Sequence, residues 1–319
     1  MKLGLFTALL SDLTLDDVIS RVRALGIEAV EFATGNYGRP AHIQLDWIAQ
    51  PSKLQELRKR LDDAGLIISA LGCGGNVLHP DRKIGASHAA IMRQTILLAE
   101  ALSVPNVINF SGCPGDCEMS KYPNFVTVAW PPDYLEILRW QWEAKVIPFW
   151  REEARFAQEH GVRIAIEMHP GFVAYSPETL LRLRAEAGSN IGCNFDPSHL
   201  FWQGIDPCLA LRELGDAIFH VHAKDTRVYD CNARVNGVLD TKPYSDEANR
   251  SWIFRTVGYG HGPEFWTDFI STLSLIGYDG VISIEHEDSL MSVEDGLEKA
   301  SAFLHQILIR KKLSQMWWA

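Results

Sequence analysis

The chain predicts an α/β fold: a (β/α)8 TIM barrel in a single domain over residues 1–319, with a long loop after the seventh strand. Three observations predict it. Short apolar runs alternate eight times with stretches of helical period, and parallel strands need crossover segments of that length. Four runs in the second half end in Glu, Asp or His, at the strand ends where such barrels keep their chemistry. A doubly wound sheet would place a glycine-rich phosphate turn after the first strand, and Thr7-Ala-Leu-Leu-Ser-Asp has none.

The elements follow in order. Lys2–Leu9 reads as the first strand, and the amphipathic stretch Thr14–Leu25 stops at Gly26. Glu28–Ala33 is the second strand. The helix over Ser52–Ala64 carries Leu54, Leu57 and Leu61 at helical spacing and ends at Gly65. Leu66–Gly72 is the third strand, and Gly72-Cys-Gly-Gly75 beyond it reads as a close-packed turn beside the site, because the rest of a dinucleotide fingerprint is missing. A helix from about Ser87 to Leu102 leads to the fourth strand, Val104–Phe110. A connection rich in Gly, Pro and Cys then enters a helical region over Pro132–His160.

The fifth strand ends at Glu167 and precedes the helix Pro177–Ala187; the sixth ends at Asp196 and precedes Asp206–Leu214. The seventh ends near His222, the helix Pro263–Ile276 follows, and the eighth ends at Glu285 before a final helix over Val293–Lys311. Between them, the stretch 226–262 has little periodicity. So long a loop in a compact domain is functional or disordered, and its aromatics (Tyr229, Tyr244, Trp252, Phe254, Tyr259) speak against disorder. It reads as a lid or a subunit-contact arm.

Composition narrows the class. With 47% hydrophobic and 22% charged residues the chain is an ordinary soluble globular protein. A net charge of −10 argues against a nucleic-acid surface. The first apolar run is too short to span a membrane and lacks a cleavage site, so the expectation is a cytoplasmic protein without a membrane partner. Six cysteines show no Cys-x-x-Cys spacing, and no His lies between 113 and 133, which points to reduced thiols rather than a zinc knuckle. Trp140 and its aromatic neighbours between 122 and 142 read as packing residues that could also face a sugar. Trp317 and Trp318 are expected to dock on this chain or a partner.

The chemistry lies in the four strand ends: Ile164-Ala-Ile-Glu167-Met-His169, Ile191 to Asp196-Pro-Ser-His199, Ile218 to His222-Ala-Lys224-Asp225, and Val281-Ile-Ser-Ile-Glu285. Singly, each residue is an ordinary rim, cap or core group. As a set, Glu167, Asp196, His222 and Glu285 offer three carboxylates and one imidazole, which suits one divalent ion. Mn²⁺ leads, with Mg²⁺, Co²⁺ or Zn²⁺ as alternatives. An octahedral ion with four protein ligands keeps two positions for the adjacent carbonyl and hydroxyl oxygens of a sugar, and it acidifies the neighbouring C–H. A carboxylate or imidazole then moves the proton.

These four motifs resemble those of the xylose isomerase-like barrels, also known as sugar phosphate isomerases/epimerases, over nearly the whole chain. That resemblance implies Glu167, Asp196, His222 and Glu285 as metal ligands, with the two glutamates exchanging a proton with the substrate and His199 against a substrate oxygen. The epimerase pattern has an Arg soon after the seventh-strand His; here Lys224 and Arg227 stand in that region as substrate-binding candidates. His169 is either a separate base or an orienting residue. Together with the long loop, it is similar to barrels that eliminate the aglycone of a 3-keto-glycoside, such as the catalytic subunits of C-glycoside deglycosidases.

The expected function is metal-dependent isomerisation or epimerisation of a small-molecule sugar or keto-sugar. The absence of a Lys and Gly phosphate cradle favours a non-phosphorylated one. The enzyme alternatives are 3-keto-glycoside elimination and inosose dehydration. The non-enzyme alternative is a metal-stabilised carbohydrate-binding or assembly subunit. A homo-oligomer, or a hetero-oligomer with a second subunit, is expected.

Overall fold

The computed structural model describes residues 1–311 together with Leu313, Gln315, Met316 and Trp318. In chain order the strands are β1 (Lys2–Phe6), β2 (Ala29–Ala33), β3 (Ile67–Gly72), β4 (Asn106–Phe110), β5 (Arg163–Glu167), β6 (Ile191–Phe195), β7 (Ile218–Ala223), β8 (Asp225–Val228), β9 (Trp252–Arg255) and β10 (Val281–Ile284). All but β8 and β9 form one closed parallel barrel, in the order β1-β10-β7-β6-β5-β4-β3-β2. Closure comes from β1, which pairs with β10 on one side and β2 on the other. The fold is therefore the (β/α)8 TIM barrel that the sequence predicts.

The helices are α1 (Leu15–Ala24), α2 (Pro51–Asp63), α3 (Arg82–Leu102), α4 (Asp133–Trp140), α5 (Ile147–Glu159), α6 (Pro177–Ala187), α7 (Ser198–Phe201), α8 (Pro207–Leu214), α9 (Asp230–Asn236), α10 (Pro263–Leu275) and α11 (Val293–Ile307). Each crossover helix buries one stripe against the strands: Val18 and Val22 of α1, Leu54, Leu57 and Leu61 of α2, Leu297, Ala300 and Leu304 of α11. That stripe, packed on strand residues such as Leu3, Leu5 and Ile164, is the main apolar core. The β6 glycine is needed for closeness: a Cβ on Gly192 would sit 2.4 Å from the Ala217 carbonyl oxygen.

Several boundaries differ from the expectation. The first strand stops at Phe6, and Thr7–Leu10 turns as a 3-10 helix that buries Thr7 and Leu10; a continuous apolar run does not distinguish a strand from a buried turn. The third helix starts at Arg82, where the Asp81 side chain accepts from Lys83 N at 2.8 Å. The 132–160 region divides into α4, a π-helical segment over Gln141–Val146, and α5; Pro148, in the first turn of α5, removes one donor from a continuous α ladder. The last helix ends at Ile307.

The stretch 226–262 is more ordered than its sequence suggests. β8 and β9 pair antiparallel, from Asp225 opposite Arg255 to Val228 opposite Trp252, with α9 between them. Trp202 and Trp252 stack at 4.6 Å, and the Arg250 guanidinium lies over Tyr244 and Trp252. Trp318 is 61% exposed, and Trp317 lies outside the described residues. Among the described residues, no helix is long and apolar enough to cross a membrane.

Candidate active site

Strands β5, β6, β7 and β10 deliver Glu167, Asp196, His222 and Glu285 to one end of the barrel. One ligand-type atom from each lies within 4.8 Å of the others. The structure thus brings together the four residues that the strand-end pattern singled out. His222 Nδ1 is 3.1 Å from Glu285 Oε2 and 3.4 Å from Glu167 Oε2. His199, on α7, reaches Glu167 Oε1 at 3.2 Å and Asp196 Oδ2 at 3.3 Å. Lys224 Nζ lies 2.5 Å from Glu287, 3.4 Å from Glu285 and 3.7 Å from Asp196, under the ring of Phe254.

His169 joins the group through its ring, 4.1 Å from that of His199. Its Nδ1 is 2.6 Å from the Pro170 carbonyl. A carbonyl can only accept, so Nδ1 carries the proton and Nε2 keeps its lone pair. Arg227 is not brought to the cluster. It is exposed, donates to the Gly260 carbonyl at 3.2 Å, and lines a separate cavity with Phe201, Tyr229 and His261.

Burial sets the electrostatics. It raises the carboxyl pKa of Glu167, with the Glu285 charge adding to the effect, and it raises that of Asp196. Glu285 is held low instead: burial opposes ionisation, but Lys224 and His222 outweigh it. His222 is pushed well above its ordinary value, because the Glu31 and Glu285 carboxylates overcome burial. Burial, with His199 beside it, lowers His169 to about 3. Burial also brings His199 down to about 4 against the pull of Asp196. Both are neutral imidazoles near pH 7.

The donor set fits a divalent cation. Asp196 Oδ2 and Glu285 Oε2 are buried oxygens without a hydrogen-bond donor, since the nearby His and Lys contacts lack hydrogen-bond geometry. An unsatisfied buried carboxylate oxygen is costly, and a cation bound by all four side chains would satisfy both. Carboxylate and imidazole are the ligand types of Mn²⁺, Mg²⁺, Co²⁺ and Zn²⁺ sites.

A cavity of about 460 Å³ opens on the cluster; Phe6, Tyr37 and Phe110 line it beside Glu167, Glu285 and Glu287. Among the described residues that line it, Arg39 is the one Lys or Arg; its side chain is 72% exposed and pairs with Asp12. The aromatics expected near 122–142 do not line it: Trp142 is buried under Arg182, and Trp130 is exposed.

Sequence reasoning missed four participants. Glu31 on β2 contacts His222 Nε2 at 2.9 Å, and Asn194 on β6 donates to Glu167 Oε2 at 2.8 Å. His220 contacts Asn194 Oδ1 at 2.9 Å, and Glu287 pairs with Lys224. The available signal was a charged residue inside the otherwise apolar run Ala29-Val-Glu31-Phe-Ala. Asp225, in the same motif as His222, has a different job. Its Oδ2 accepts from the backbone of Gly258, Gly260 and His261 and from Trp266 Nε1; its Oδ1 accepts from Thr226 N and contacts His261 Nδ1. A Cβ on Gly260 would come within 2.4 Å of Asp225 Oδ1, so glycine permits this approach.

Comparison with known proteins follows the same geometry. Residues 19–307 match the xylose isomerase-like TIM barrel family. The uncharacterized protein YfiH of Bacillus subtilis (strain 168) is 41% identical over 312 residues, covering 97% of this chain and 99% of that protein. Among solved structures, a D-tagatose 3-epimerase-like protein superposes with a TM-score of 0.64 at 21% identity, covering 96% of this chain and 98% of that one. The IolI protein with a bound zinc atom does so with a TM-score of 0.64 at 18% identity, covering 97% and 98%. At these identities the two structures establish likeness of fold.

Proposed function

The chain belongs to the xylose isomerase-like TIM barrel family, and on that premise we propose that it is a divalent-metal-dependent sugar isomerase or epimerase that removes a proton next to a carbonyl. The observation that carries this reading is the convergence of Glu167, Asp196, His222 and Glu285, with two of their oxygens buried and lacking donors. A bound divalent ion, Mn²⁺ foremost, would polarise the substrate carbonyl and make the neighbouring C–H more acidic. The zinc atom in IolI and the epimerase-like neighbour support the same assignment.

The chain's own residues do the rest. Glu167 and Glu285 both line the cavity and take and return the α proton. The raised pKa of Glu167 brings it nearer the working range of an acid–base group. His199 and Lys224, buried between the carboxylates, hold them in place. Phe254 of the 226–262 arm, 5.4 Å from the His199 ring, makes that arm a cover that excludes water from this side. The substrate is a non-phosphorylated polyhydroxy ketone or aldehyde: the Lys224 ammonium is engaged by three carboxylates, and Arg39 is exposed and paired.

A second reading, β-elimination from a 3-keto-glycoside, is favoured by His169. Its Nε2 lone pair is free of the metal cluster and can accept a hydrogen bond from a substrate hydroxyl beside the reacting carbon. Both reactions begin with the same proton loss. The test is incubation of the Mn²⁺-loaded protein with ketoses and 3-keto-glycosides in D₂O, followed by proton NMR. Deuterium at the α carbon of a newly formed isomer or epimer supports isomerisation or epimerisation, and aglycone release supports elimination. No exchange or release on any member of the panel counts against both.

A further inference from the structure

His222 can serve a metal ion at the cluster through only one of its two ring nitrogens, and the fold has to select it. Nδ1 faces Glu285 and Glu167, while Nε2 points away to Glu31 Oε2 at 2.9 Å. Glu31 meets Nε2 with hydrogen-bond geometry, whereas the Nδ1 contacts to Glu285 and Glu167 lack it and Nδ1 faces the Asn194 amide instead, so a ring that holds a metal ion keeps its proton on Nε2 and its lone pair on Nδ1. Asn194 agrees with this choice. Its Oδ1 is 2.9 Å from His220 Nδ1 and acts as the acceptor; its Nδ2 therefore faces Glu167 Oε2 and, at 3.1 Å, the His222 Nδ1 lone pair.

The backbone is shaped for this arrangement. Register slips between Val30 and Glu31 where β2 meets β3, and between Cys193 and Asn194 where β6 meets β7. Such irregularities re-aim the side chains that follow them, and here they turn Glu31 and Asn194 onto the same imidazole. Glu31 is 1% exposed, so its interaction with His222 is little screened by solvent.

We propose that Glu31 is a positioning residue for the metal centre: by accepting the Nε2 proton of His222, it fixes the tautomer and ring orientation that present Nδ1 to the ion. The proposal rests on the metal-site reading above. A carboxylate behind a ligating histidine fixes its tautomer and raises its basicity. Glu31→Gln keeps the shape, but its amide can turn an N–H toward Nε2 and drive the ring proton to Nδ1.

Two measurements test it on the full chain. In metal-stripped protein labelled with ¹⁵N-histidine and brought to a pH at which the His222 ring is neutral, with His222 assigned by comparison with His222→Gln, long-range proton–nitrogen correlation reads the tautomer directly. The expected result is Nε2–H in the wild type; Nδ1–H would overturn the proposal whether or not Glu31→Gln folds. Calorimetric titration with Mn²⁺ then compares the wild type with Glu31→Gln, whose metal-free melting curve is checked first. The expected loss of affinity is roughly 10- to 100-fold. Equal affinities would overturn the proposal and leave the metal site standing. No Mn²⁺ binding by the wild type would overturn both. Two ions per chain, with Glu31, His220 and His222 holding the second, would overturn it too, because Nε2 would then be a ligand without its proton.

Discussion

Asp196 and Asp225 are both fully buried carboxylates at the same end of the barrel, and they are treated in opposite ways. Asp225 takes donors on both oxygens, from Thr226, Gly258, Gly260, His261 and Trp266. Asp196 has one oxygen bonded to Ser198 N, while the other lies among His199, Lys224 and the carboxylate cluster with no hydrogen-bond donor. The saturated carboxylate ties the return of the 226–262 arm to the barrel. The unsaturated one belongs to a group whose remaining valence points at a cavity. Burial alone does not distinguish structural from chemical carboxylates; the donor count does.

The largest expected effect tests the cluster. Glu167→Gln should reduce turnover of the cognate substrate by about 10²- to 10⁴-fold, the range for loss of an acid–base group, read by steady-state kinetics. The same variant should melt no lower than wild type in the metal-free state, since burial already disfavours charge on Glu167. A marked fall in its metal-free melting temperature would make Glu167 a structural residue like Asp225.

Next comes the converse. Asp225→Asn offers one acceptor oxygen where two now serve the arm, and its amide N–H₂ faces other donors. It should cost about 3 kcal/mol of stability in urea melts, with Mn²⁺ affinity retained by the folded fraction. Loss of metal binding without loss of stability would erase the distinction between the two carboxylates.

A smaller effect appears as pH dependence. His220 is brought down to about 4 by burial, against an ordinary value near 6.5 in the unfolded chain. The unfolded chain therefore binds more protons between those values. This contribution is complete above about pH 6.5 and is lost as pH falls towards 4, with a slope of up to about 1.4 kcal/mol per pH unit. His220→Asn should flatten the stability profile of the metal-free protein by about one proton in that window. An unchanged slope would show that His220 titrates normally. The smallest effect belongs to Arg227→Ala: exposed and facing another cavity, it should alter Mn²⁺ affinity and kcat/KM by less than about twofold.

The cluster was legible because buried parallel strands read as apolar runs, and a Glu, Asp or His at the end of such a run is conspicuous. Glu167, Asp196, His222 and Glu285 share that signature. Glu31 does not: it sits inside the run of β2, and its role exists only through a contact 191 residues away. Asn194 and His220 depend on a local register slip that no periodicity announces. The β8–β9 ribbon stayed hidden for a related reason, since its strands are separated by a helix and turns rather than a hairpin signal. Asp225 was singled out with its motif, yet adjacency to His222 did not reveal that its bonds go to the far end of the arm.

The most direct measurement of the central claim is metal analysis of the purified chain under metal-replete conditions, with wild type, Asp196→Asn and Asp225→Asn side by side. The predicted result is about one divalent ion per wild-type chain, lost from Asp196→Asn and kept by the folded Asp225→Asn protein. An ion-free wild type, or an ion that survives Asp196→Asn unchanged, would contradict it.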